Sequence, residues 1–161
     1  MTRRSLVLPS AGVAAICALA LAPGSGAATG RTQTLRFFDK PVSLKLTHAD
    51  GTVATGAGPS EPKPGDTLDV NSLVYRGNHA RHAKRAGGSA HLRCVFGADG
   101  PPTCESHVAL GGSMLVFTGN PGTVTNGTGI YQGATGRVVS SKSVAGQANA
   151  TDVVARVTLR G

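Results

Sequence analysis

The sequence predicts an all-β protein: a single antiparallel β-barrel of about eight strands. Three observations carry this. Short runs of alternating apolar and polar residues recur along the chain, as half-buried strands require. Clusters of Gly, Pro, Asn and Asp separate them, as tight turns require. Glu, Lys and Leu never gather into a long amphipathic run. Of the 133 residues after position 28, 20 are Gly and none is Trp.

Residues 1–28 read as a removable secretion signal. Arg3 and Arg4 supply a positive start, Leu6 to Ala22 carry no charge, and Pro23-Gly24-Ser25-Gly26-Ala27-Ala28 is a small-residue tract. Gly26 and Ala28 place small side chains where a signal peptidase needs them, so cleavage is expected after Ala28. Thr2-Arg3-Arg4-Ser5-Leu6-Val7 also resembles a twin-arginine signal, used by chains that fold before export. A retained membrane anchor fits less well, because Pro9 interrupts the run and Pro23-Gly24 ends it. Bulky Ile16 before Cys17 disfavours lipidation. No later stretch reaches the roughly 20 apolar residues of a spanning helix. The expected location is therefore extracellular, with residues 29–161 forming one domain of a length that can bury its own core.

The strands follow in order. In Thr32 to Phe38, Gln33, Leu35 and Phe37 alternate with Thr32, Thr34 and Arg36. Val42 to Thr47 continues this strand after Pro41, which suggests a bend or an edge position. Ala49 to Gly65, with four Gly and three Pro, is a loop. Asp66 to Tyr75 is the second strand. Arg76 to Gly88 is a polar, basic loop. Ser89 to Val95 and Glu105 to Leu110 form a hairpin around Gly97 to Pro102. Ser113 to Thr118 is the fifth strand, Thr123 to Thr125 begins the sixth, Arg137 to Val144 is the seventh and Asp152 to Arg160 the eighth. Eight such strands can close into a barrel, which removes exposed sheet edges.

Loss of the signal removes Cys17, Arg3 and Arg4. Cys94 and Cys104 remain, and an even pair in an exported domain reads as a disulfide across the hairpin. A redox thiol is the alternative, but neither cysteine lies in a C-x-x-C motif. Lys plus Arg falls from 16 to 14 against 8 acidic residues, a net charge of +6. Such a domain can associate with anionic envelope polymers, or use its charge for solubility. Arg76, Arg81, Lys84 and Arg85 are the anion-binding candidates. Their loop also holds His79 and His82, but it has no acidic residue and is a poor metal site. It could also lie over a barrel mouth as a lid.

No metal site, cofactor motif, nucleophile elbow or Walker sequence is present. The basic residues lack interleaved aromatics, which argues against nucleic acid. Polar or amphipathic residues on predicted strands are the candidates for lining a cavity: Asn71, Tyr75, Glu105 and His107. Glu105 and His107 are two apart, so they share a face. If that face is the interior, they could act as an acid/base pair; placement on the strand surface is the alternative.

Gly127-Thr128-Gly129-Ile130-Tyr131-Gln132-Gly133-Ala134-Thr135-Gly136 resembles the signature of the dirigent and allene oxide cyclase barrel-like superfamily. Gly65-Asp66 followed by Leu73-Val74-Tyr75-Arg76 is similar to that family's G-D and L-Y-R. Cys94 and Cys104, Ala109-Leu110-Gly111-Gly112 and the final strand also agree in order. The likeness spans residues 32–160. Asn126 and Leu110 depart from the usual Gly and Pro. Physically, the motif's Gly127, Thr128, Gly129, Tyr131, Gly133, Ala134 and Gly136 suit a barrel corner, where glycine allows close backbone approach.

The resemblance implies an eight-stranded barrel that holds an apolar small molecule and steers its cyclisation or stereochemistry, without indicating which residues would act. The other reading is a non-catalytic envelope or matrix protein that binds anionic polymers through its basic surface. Either leaves room for a homo-oligomer.

Overall fold

The computed structural model describes residues 30–56 and 61–161. The signal segment, with Cys17, and positions 57–60 of the Gly/Pro-rich loop lie outside the described residues. The described chain is ten strands and one 3-10 turn. The strands are β1 (Thr32–Thr47), β2 (Val53–Thr55), β3 (Thr67–Asn78), β4 (Arg81–His82) and β5 (Gly88–Val95). Then come β6 (Thr103–Leu110), β7 (Ser113–Thr118), β8 (Thr123–Thr128), the turn Gly129–Tyr131, β9 (Thr135–Ser143) and β10 (Thr151–Thr158). No helix among the described residues is long and apolar enough to cross a membrane.

Eight strands close a ring. Antiparallel neighbours run β1-β10-β9-β8-β7-β6-β5-β3, and β3 pairs back onto β1. These eight are the strands expected from the alternation. The short β2 and β4 are additions that extend β1 and β3 outside the ring.

β1 closes the ring because it is long. Thr32 to Asp39 pair with β10, while Phe37 to Thr47 pair with β3. The strand runs through Pro41 without breaking. A register shift between Pro41 and Ser43 leaves Val42 unpaired and 61% exposed. This bulge lies past the end of the β10 ladder, where one edge of β1 is free, so proline's missing N–H is tolerated.

Alternation sorts the side chains. Phe37, Val74, Ala90, Val108, Leu115, Phe117, Val124, Tyr131, Ala134, Ala155 and Val157 pack as one core. Cys94 and Cys104 face each other in the β5–β6 register and form a disulfide. Tying strands across so short a loop stabilises the fold by roughly 2–3 kcal/mol in the chain-entropy model. The glycine signature forms the corner from β8 into β9. A side chain at Gly127 would collide with the Tyr131 carbonyl, and Gly129 has φ +60°. Tyr131 turns its ring into the core.

A smaller cluster sits on the outside. Phe38, Val144 and Ala150 are buried there, with half-buried Tyr75 against them. His82 covers this cluster, with ring centroids 5.2 Å from Phe38 and 5.0 Å from Tyr75. The basic segment is therefore a hairpin folded back on the barrel wall rather than a free loop.

Leu115 is fully buried at the centre of the core. Leu115→Ala should cost about 2–5 kcal/mol of unfolding free energy, from reduced transfer energy plus a cavity. Urea denaturation monitored by circular dichroism measures it.

Candidate functional site

The core fills only part of the barrel. Towards the end where β1 leaves β10, a cavity of about 210 Å³ remains. Its walls are largely apolar, with Phe37, Leu92, Val108, Phe117, Val138 and Val153 among them. The β7–β8 turn, Gly119 to Gly122, borders it. The disulfide contributes Cys104. The volume is smaller than the roughly 300–1,000 Å³ of common drug-sized sites.

One ionisable side chain lines this cavity: Asp39. It continues the inward series Gln33, Leu35 and Phe37 on β1. Its register partners are Thr151 on β10 and Val74 on β3. The Asp39 Oδ1 is buried and has no hydrogen-bond partner. Burial pushes the carboxyl above its ordinary value, and a hydrogen bond from the buried Ser72 hydroxyl only partly offsets this. An apolar wall disfavours the charged form because water cannot solvate it. The cavity thus holds an acid that keeps its proton to higher pH than a surface aspartate does. Ser106, Ser141, Thr151 and Asn120 add neutral polar groups, and no Lys, Arg or His lines it.

The four residues expected to line the interior do not reach this cavity. Glu105 and His107 do share a face and bond to each other, His107 Nε2 to Glu105 Oε1 at 2.6 Å. That face is the outer one: Cys104, Ser106 and Val108 take the inward positions between them. The side chains of His107 and Glu105 are 41% and 53% exposed. Asn71 also points out, donating to Ser43 Oγ at 3.0 Å and pairing with His91 Nδ1 at 3.0 Å. Tyr75 sits under His82 in the outer cluster. Their polarity fits the outside of the barrel, where water solvates them; Val70, Ser72 and Val74 are the buried residues of β3.

Arg76, Arg81, Lys84 and Arg85 are all exposed, and none borders the cavity, so their segment is no lid over it. His79 anchors the hairpin to β10. Its backbone N–H donates to Asp152 Oδ1 at 2.7 Å, and its Nδ1 lies 2.6 Å from Oδ2. Burial works against the Asp152 charge, yet the hydrogen bonds and charge of His79 outweigh it and hold the carboxyl below its usual range. A third such pair braces the loop after β1. Asp66, almost fully buried, accepts from the backbone N–H groups of Lys63 and Ala49 and meets His48 Nδ1 at 2.9 Å. Among the described residues no group of three or more His, Cys, Asp or Glu could hold a metal ion.

Sequence reasoning missed Asp39. The signal was present, since an acidic residue followed directly on the apolar face of the first strand. The alternation expected over Thr32 to Phe38 ends one residue before it.

Asp39→Asn keeps the shape and removes the charge. Because burial raises the folded-state pKa, the native protein binds more protons than the unfolded chain above pH 3.8, and its stability falls as pH rises through that window. The variant should therefore be the more stable at neutral pH, and the gap should close as pH drops below 3.8. Thermal melts across pH 3 to 8 read this directly; a gap of opposite sign contradicts it.

No family model matches the chain, and no curated protein matches it by sequence. Solved structures do. A pyocyanin demethylase superposes with a TM-score of 0.57 at 16% identity, covering 78% of this chain and 100% of that one. Two pterocarpan synthase dirigent proteins give TM-scores of 0.54 and 0.56 at 14% identity. They cover 80% and 81% of this chain and 88% and 95% of their own. At this identity the likeness is one of fold, and the fold is a dirigent-like antiparallel β-barrel.

Proposed function

We propose that the protein binds a small, uncharged, largely apolar molecule in the barrel cavity, and that Asp39 steers its cyclisation or isomerisation as a general acid. The observation that carries this reading is the unpartnered Asp39 Oδ1 in an apolar-walled cavity. A buried polar atom without a partner costs stability, and a ligand atom that pairs with it recovers that cost. In its protonated form, which burial favours, the carboxyl donates to a carbonyl, epoxide or hydroxyl oxygen of the ligand. As the new bond forms within the ligand, the proton released there returns to Asp39, so no acid is consumed. The walls hold the reacting ends close, which is where catalysis by positioning gains most. The lack of a cation in the lining disfavours a carboxylated ligand. The names of the structural neighbours, a demethylase and two pterocarpan synthase dirigent proteins, are consistent with a barrel that handles small molecules. The disulfide and the signal-like leader support action outside the cytoplasm.

Native mass spectrometry of the protein from its producing culture tests the reading. The parent should retain a small neutral molecule, and Ser106→Trp, which fills the cavity, should not. Adding the recovered molecule at about 100 times its Kd should stabilise the parent by roughly 2.7 kcal/mol. A parent that retains nothing, and that small neutral oxygen-bearing aromatics do not stabilise, contradicts it.

A further inference from the structure

The outer face of β1, β10 and β9 carries an arrangement the cavity does not explain. Arg156 on β10 stands directly opposite Arg137 on β9. Thr34 on β1 flanks the pair on one side and Thr123 on β8 on the other. Thr34, Arg156, Arg137 and Thr123 thus form one exposed row across four strands. Arg36 is the diagonal neighbour of Arg156, about 7–8 Å away between backbones in such a sheet. Among the described residues, no Lys or Arg forms an ion pair; every ion pair uses a histidine.

Like charges directly opposite each other destabilise a sheet. Here nothing relieves them. The acidic residue on the outer face of these three strands is Asp152, and His79 already occupies both of its oxygens. That same bond holds the β3–β4 hairpin, which carries the exposed Arg81, against β10. The surface therefore offers donors and positive charge with no competing acceptor. Two guanidinium forks a strand apart suit a phosphate group, which has oxygens enough for both. No exposed aromatic stands in the row, so there is no platform on which bases could stack.

We propose that this face is a docking track for a linear phosphodiester polymer without bases, of the polyol-phosphate kind carried on cell envelopes. Arg137 and Arg156 share a phosphate, Thr34 and Thr123 add hydroxyl donors, and the hairpin cations engage the next repeats. The site is separate from the cavity and does not depend on its chemistry.

The test is binding of the purified protein to synthetic poly(glycerol phosphate) across a salt series. The double variant Arg137→Gln/Arg156→Gln should bind at least about tenfold more weakly, with the log–log salt slope falling by about 0.7 for each phosphate that is no longer neutralised. Its melting temperature should not fall, since removing a like-charge pair relieves repulsion. Neutralising Arg81, Lys84 and Arg85 together should weaken binding further. Unchanged affinity and slope in the double variant overturn the proposal, even if the hairpin variant alone binds less. Equal affinity for duplex DNA, or binding to anionic phospholipid vesicles but not to the polymer, overturns it as well.

Discussion

The pairing of β1 with β3 closes the barrel, and most of the molecule's chemistry depends on it. A strand that stopped at Phe38 would reach β10 but would leave β3 with a free edge. By running to Thr47, with a bulge after Pro41, β1 holds β10 on one side and β3 on the other. Closure gives every strand an inside and an outside. Asp39 sits where the two ladders of β1 overlap for the last time, paired with Thr151 and Val74. Its side chain continues the inward series of β1, and its Oδ1 is buried.

Inside and outside then use acidic residues in opposite ways. Within the cavity a lone carboxyl faces apolar walls, and burial favours its protonated form. On the outer surface and in the loops, carboxylates pair with histidines: Asp66 with His48, Asp152 with His79, Asp69 with His91, Glu105 with His107. Two of these pairs link distant segments and brace the loop after β1 and the basic hairpin. Histidine takes these four acids, and among the described residues no lysine or arginine forms an ion pair. The barrel thus keeps one carboxyl on the inner face and leaves its cations on the outer face without carboxylate partners.

Most of the fold was legible in the sequence. Period-two alternation and turn residues locate all eight barrel strands, because each is long enough to show a face. β2 and β4, with three and two residues, are too short to show one. The hairpin's docking was also hidden, since it rests on His79 meeting a residue 73 positions away. The site was read less well. Asn71, Tyr75, Glu105 and His107 stand out by polarity, and polarity on an antiparallel barrel mostly marks the outside. The informative residue was a polar one on an apolar face, and the series Gln33, Leu35, Phe37 leads straight to Asp39.

Asp39 is a partly desolvated acid lining a small, largely apolar cavity. Carbon-13 NMR titration of its carboxyl measures this most directly. The structure predicts a midpoint clearly above 3.8, moving again when a ligand fills the cavity. A midpoint at or below 3.8 would mean that water or another partner solvates the carboxylate, and Asp39 would not be the acid of this cavity.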